Sequence, residues 1–60
     1  MTVIITAKHT AGLGCIKGEQ KKYDNVRKII RHRTYHELVI HENWKVLCNR
    51  KDWKVEVVDA

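Results

Sequence analysis

The last third of the chain has a hydrophobic pattern that predicts antiparallel β-strands. Two apolar runs, residues 35–40 and 44–48, flank a polar joint, in which residues 42–43 form a plausible two-residue turn. Leu38 and Ile40 fall on one face of the first run, because successive side chains of a strand point to opposite faces. The pattern therefore predicts two strands joined by a tight turn.

A closing strand is predicted near the C-terminal end. The polar segment Asn49 to Asp52 is short enough for a single turn, and Trp53, Val55 and Val57 then alternate with charged residues. This half-buried pattern is typical of an antiparallel sheet. It assigns Trp53 to the core, so we expect the segment to complete the fold and not to bind a partner.

The N-terminal part predicts one strand and one long loop. Residues 2–8 are rich in β-branched side chains, which favours a strand. Residues 10–18 contain all 3 glycines of the chain and show little apolar periodicity. They predict a loop that bends sharply, with Leu13 or Ile16 folded back over the end of the protein.

Residues 19–33 fit two secondary structures. Three apolar residues, spaced i, i+3 and i+7 from Tyr23, fit one face of a helix. Frequent β-branched residues, and the lack of a glycine or proline that would end a helix, favour a strand, which is the preferred interpretation. Arg27 and Arg31 are four residues apart and share a face in either case.

Four or five short strands and one glycine-containing loop predict a small, mainly all-β protein, either a barrel or a two-sheet sandwich. The 60 residues are expected to form a single domain, 1–60. A chain of this length has too little interior for an elaborate catalytic cleft. We therefore expect a binding protein that is not an enzyme and has no cofactor.

Four segments follow one another in an order known from other small β proteins. They are a loop ending at Ile16 to Glu19, Tyr23 shortly after it, a strand pair around His41 to Trp44, and the segment Asn49 to Val57. This order resembles the SH3-like barrel, and most closely the small SH3-like proteins of bacteriophages and Gram-positive bacteria. The resemblance implies five strands, with a long first loop, a three-stranded meander and a short 3₁₀ turn before the last strand.

One ligand of SH3 domains is not expected here. The chain has no Phe and no Pro. The aromatic pair and the proline with which SH3 domains hold proline-rich peptides therefore have no counterpart, and recognition of such peptides is not predicted.

Positive charge is concentrated in the middle of the chain. Residues 17–33 contain seven basic and two acidic residues, a formal charge of +5, which equals the net charge of the whole chain. Such a concentration suits a polyanionic partner, whose binding weakens as the salt concentration rises. The simpler alternative is that these side chains only keep the protein soluble.

These basic residues and nearby aromatic side chains are the candidate nucleic-acid-binding residues. Arginine and lysine would contact phosphates of DNA or RNA, and exposed aromatic rings would stack on bases. The candidates are Lys21, Lys22, Arg27, Lys28, Arg31, Arg33, Tyr35, Trp44 and Lys45.

Histidine and cysteine residues do not predict a metal site. The chain has 4 His and 2 Cys. His32 and His36 are four residues apart, a spacing that brings two zinc ligands together on a helix but not on the strand that is predicted here. No pair therefore has a typical zinc-ligand spacing in the expected secondary structure. Cys15 and Cys48 are expected to be reduced thiols, since no secretory signal is recognisable.

A second function of a different class is a protein-interaction module without affinity for nucleic acid. Phages encode such adaptors and inhibitors of host proteins, and the module would dock on an acidic or grooved surface. No segment is apolar enough to span a membrane, so we expect a cytoplasmic protein without a membrane partner. A monomer and a homodimer are both compatible with the sequence, since residues 2–8 could pair at a sheet edge.

Overall fold

The computed structural model describes residues 1–12 and 14–58, which form six β-strands and no helix. The strands are β1 (Val3–Ala7), β2 (Gln20–Tyr23), β3 (Lys28–Arg31), β4 (Tyr35–His41), β5 (Trp44–Asn49) and β6 (Trp53–Val57). The protein is therefore all-β, as the sequence predicted. No helix that could cross a membrane occurs in these two ranges.

The strands lie in two antiparallel three-stranded sheets. Sheet A has the order β2-β1-β6, and sheet B has the order β3-β4-β5. The four strand pairings found among the described residues are all within a sheet, so neither sheet closes on the other. The described residues form six strands and not the five that were predicted, and no strand pairing among them closes the two sheets into a barrel.

The extra strand arises because residues 19–33 are divided by a turn. Their preferred assignment as strand is confirmed, but β2 belongs to sheet A and β3 to sheet B. Asn25 lies between them with a φ of 60°. This left-handed conformation breaks an extended chain, and Asn adopts it more readily than most residues.

Val26 connects the two sheets at this turn. Its side chain is only 1% exposed and belongs to the core. The Val26 amide donates to the Met1 carbonyl at 2.9 Å, and the next amide, that of Arg27, donates to the Val39 carbonyl of β4 at 2.7 Å. Two consecutive residues therefore hydrogen-bond to the residue that leads into β1 of sheet A and to β4 of sheet B.

The core lies between the sheets. Its fully buried cluster consists of Val3, Ile5, Val26, Leu38, Ile40 and Cys48. The predicted common face of Leu38 and Ile40 is thus confirmed and is the inward face of β4. Trp53 packs against this cluster but is half-buried, and Val57 is 54% exposed, so the closing strand contributes less to the core than its alternation predicted.

The loops follow the sequence in part. The predicted two-residue turn joins β4 to β5. Before β6 the chain makes a hydrogen-bonded turn in which the Asp52 amide donates to the Asn49 carbonyl at 3.2 Å, and no 3₁₀ helix is assigned there. Ile16 is 57% exposed and does not fold over the end of the protein, whereas Leu13 lies outside the described residues.

Both cysteines are free, as expected. Cys48 is buried on β5, where burial raises the pKa of its thiol. Cys15 is buried in the loop after β1, and its Sγ donates to the His9 carbonyl at 3.4 Å.

Candidate nucleic-acid interface

The nine candidate residues do not form one continuous face. Two lie on sheet A, and the other seven lie at opposite ends of sheet B. The sheet A residues are Lys21 and Lys22 on β2; those at one end of sheet B are Arg27, Lys28, Trp44 and Lys45; those at the other end are Arg31, Arg33 and Tyr35. Tyr35 and His41 are six residues apart on β4, so the ends are about 20 Å apart.

The first end, the hairpin cluster, is formed by Arg27, Lys28, Trp44 and Lys45. The β3-β4-β5 register places Lys28 and Lys45 on either side of Val39 on the outer face of sheet B. Trp44 is 52% exposed, and its ring stacks on His41 with centroids 6.0 Å apart. An exposed aromatic ring beside lysines is an arrangement that can stack on a base.

Acidic side chains accompany the hairpin cluster. Arg27 lines an open depression together with His41, Glu42 and Asn43. Lys45 Nζ lies 3.4 Å from Glu37 Oε2 in the middle of the outer face. Part of the positive charge at this end is therefore already balanced within the protein.

Glu37 is the least exposed carboxylate of the outer face. Its side chain is 13% exposed, and Oε1 lies 3.0 Å from His32 Nε2. The hydrogen bond to His32 is the main reason why the pKa of Glu37 is lowered, and Lys45 lowers it further against the opposing effect of burial. Glu37 thus links the centre of sheet B to both of its ends.

The second end, the basic pole, is formed by Lys8, Arg31, Arg33 and Arg50. Arg50 Nη1 donates to the carbonyls of Arg33 at 2.9 Å and His32 at 3.3 Å, and Lys8 Nζ donates to the Arg50 carbonyl at 3.0 Å. These are bonds to neutral groups. In the described part of the chain no carboxylate lies within ion-pair distance of any of the four cations.

His36 lies among these cations. It is the register partner of Arg31 across β3 and β4. Burial lowers the pKa of its imidazole, and the charges of Arg50, Arg31 and Lys8 lower it further. Its Nδ1 atom is buried and has no hydrogen-bond partner in the described structure. Burial and the neighbouring positive charges therefore both favour the neutral form of the ring.

A stacked pair of rings lies beside the basic pole. The rings of His32 and Tyr35 are 4.3 Å apart at an interplanar angle of 20°. Tyr35 lies on the outer face of sheet B, because its neighbour His36 is paired with the buried Cys48. The pole thus combines cations that lack a carboxylate partner with an aromatic surface.

The two candidates on sheet A lie apart from both ends. Lys21 Nζ lies 5.3 Å from the centroid of the Trp53 ring, a cation–π contact that helps cover the core. Lys22 faces away from the core, opposite Ile4. Lys21 and Lys22 are close in sequence to the arginines in and around β3, but they lie on a different sheet.

Three residues of the basic pole region were not predicted from the sequence. Lys8 and Arg50 lie outside the basic segment, and His36 was considered only as a metal ligand. Lys8 and Arg50 are 42 residues apart in sequence and meet only through folding. Among the described residues no group of three or more potential ligands is placed to hold a metal ion.

No protein-family model, no curated protein and no solved structure matches this chain.

Proposed function

We propose that the protein is a small basic binding module for single-stranded nucleic acid. The observation that carries the proposal is the basic pole, where four cations without a carboxylate partner lie beside the stacked rings of His32 and Tyr35. Unbalanced cations attract phosphates, and aromatic rings accept bases by stacking without regard to sequence. Both contacts are needed to hold a flexible strand.

The outer face of sheet B supplies a path from the basic pole to the hairpin cluster. Lys28 and Lys45 lie along this path, and Trp44 lies at its far end. A length of about 20 Å accommodates a strand of several nucleotides. In this binding mode the pole provides most of the electrostatic attraction, because Lys45 is already paired with Glu37.

Salt-dependent binding of short oligonucleotides tests the proposal. Fluorescence anisotropy with single- and double-stranded DNA and RNA should show the tightest binding for single strands, with affinity falling as salt rises. Arg31→Glu/Arg33→Glu should weaken binding at low salt by at least about tenfold and reduce the slope against salt by about two.

A control variant with the same change in net charge separates a local effect from a general one. Lys22→Glu/Lys54→Glu alters the outer face of sheet A, where Lys54 is paired with Glu56. It should weaken binding by less than about threefold. Equal losses in the two variants would contradict the assigned surface, and no binding even at low salt would contradict the function.

The second candidate function is a protein-interaction module of the adaptor or inhibitor kind that phages encode. It is favoured by an exposed apolar side chain on the outer face of sheet B, where Leu47 is 65% exposed and lies on the same face of β5 as Lys45. Exposed apolar side chains next to lysines suit a partner protein whose surface is partly apolar and partly acidic. Capture of one host protein that is lost on Leu47→Ser, without nucleic-acid binding, would favour this function.

For the fold family we propose the SH3-like class. Support comes from the long loop between β1 and β2, the meander of β3, β4 and β5, and the single turn before β6, which pairs with β1. Superposition of an experimental structure on SH3-like barrels tests this assignment. A different strand order in the meander would contradict it.

A further inference from the structure

The basic pole draws its cations from three separate parts of the chain. Arg31 ends β3, Arg50 lies in the turn before β6, and Lys8 follows β1. The bond from Lys8 to the Arg50 carbonyl and the bonds from Arg50 to the carbonyls after β3 bring these parts together. The charges therefore converge on one place instead of following a line.

We propose that this pole binds a phosphate monoester dianion, and specifically the terminal phosphate of a nucleic-acid strand. The inference rests on the proposed function and names the chemical group that the pole selects. A monoester carries a charge of about −1.5 to −2 near neutral pH. An internal phosphodiester carries one negative charge, so converging cations attract the terminal group more strongly.

His36 gives the site a second property. Every described group that faces it with a charge is cationic: Arg31 from β3, Arg50 from the turn before β6 and Lys8 after β1. Its partner on β5 is the buried Cys48, a neutral thiol. A bound dianion offsets the repulsion that keeps the ring neutral. Anion binding and protonation of His36 therefore favour each other.

The sign of the resulting pH dependence follows from this coupling. In the free protein the pKa of His36 lies below 6.5, and a bound dianion raises it. For a dianion that does not itself titrate, the affinity is constant at pH values well above the pKa of His36. It increases as the pH falls through the pKa that His36 has with the dianion bound and towards its pKa in the free protein. A phosphate monoester loses part of its charge near about pH 6, which opposes the increase.

Sulfate isolates the contribution of His36, because it stays a dianion throughout this range. NMR titration of the histidine rings in sodium sulfate and in sodium chloride of equal ionic strength should show a higher pKa for His36 in sulfate. His41, which stacks on Trp44 of the hairpin cluster, lies away from the pole and serves as the internal control. Equal responses of His36 and His41 to sulfate would overturn the proposal.

Matched variants locate the site. Arg31→Gln should weaken sulfate binding by about tenfold, because it removes a charge-assisted hydrogen bond, whereas Lys28→Gln, with the same change in charge, should leave it nearly unchanged. Arg31 is exposed, so its replacement is not expected to unfold the protein. Equal losses in the two variants would overturn the assignment of the site to the pole.

Oligonucleotides of one sequence, with a terminal phosphate or a terminal hydroxyl, identify the ligand. The phosphorylated strand should bind at least about tenfold more tightly, and inorganic phosphate should compete only weakly, since it lacks the base contacts. Equal affinity of the two strands would overturn this inference and leave the proposed function intact. Sulfate binding without binding of either strand would contradict the proposed function and identify the pole as a site for free phosphate.

Discussion

The two ends of sheet B contain similar side chains, but their positive charges are balanced differently. In the hairpin cluster, Lys45 is paired with Glu37, whereas Arg27 shares an open depression with Glu42 without forming an ion pair with it. In the basic pole, Arg50 and Lys8 donate only to backbone carbonyls, which hold the side chains in place without cancelling their charge. The number of cations is therefore a poor guide to anion binding, and the identity of their partners is a better one.

The largest effect is expected from a substitution that destabilises the core beneath both ends of sheet B. Leu38 is fully buried in the middle of β4, between the two clusters. Leu38→Ala should lower the free energy of unfolding by about 2–5 kcal/mol, because it leaves a cavity in a small core. Urea denaturation followed by tryptophan fluorescence measures the loss. An unchanged midpoint would show that the ends do not depend on a common core.

The second largest effect is expected to distinguish the two ends of sheet B by how much each contributes to the free energy of unfolding. Arg50→Gln leaves two carbonyls without their charged donor and should cost about 1–3 kcal/mol. Lys45→Gln removes an exposed lysine whose Nζ lies 3.4 Å from Glu37, which keeps its hydrogen bond to His32, and should cost less than about 1 kcal/mol. Chemical denaturation of both variants provides the comparison. Equal costs would contradict the view that Arg50 organises its end of the sheet and Lys45 does not.

The smallest effect concerns pH and the carboxylate that joins the ends. The folded-state pKa of Glu37 is lowered from 4.5, so its contribution to stability is complete above that value and is lost as the pH falls below it. Glu37→Gln should flatten this part of the stability profile. Glu56→Gln, in the exposed pair with Lys54, is the control and should change the profile less.

The predictable part of the fold is the part with a regular alternation. Strands β4 and β5 and the turn between them follow from apolar residues that repeat every second position, and Leu38 and Ile40 are buried as this period requires. The division of residues 19–33 was missed, because it depends on the left-handed conformation of Asn25, which the sequence permits but does not demand.

The candidate site was predictable only where its charges are close in sequence. Arg31 and Arg33 were identified from the concentration of basic residues, and whether they bind nucleic acid stays a prediction. Lys8 and Arg50 could not be grouped with them, because strand pairing and a backbone carbonyl bring them together from distant positions. His36 gives no signal in the sequence, since its surroundings appear only when β3 pairs with β4.

The turn at Asn25 and Val26 also provides a signature for recognising relatives of this protein. The backbone at position 25 is left-handed, a conformation that only Asn, Asp and Gly adopt at little energetic cost. The buried position 26 requires an apolar side chain. Surface lysines and arginines can drift without loss of the fold. A distant relative should therefore keep this pair of residues between its second and third strands after its charges have changed.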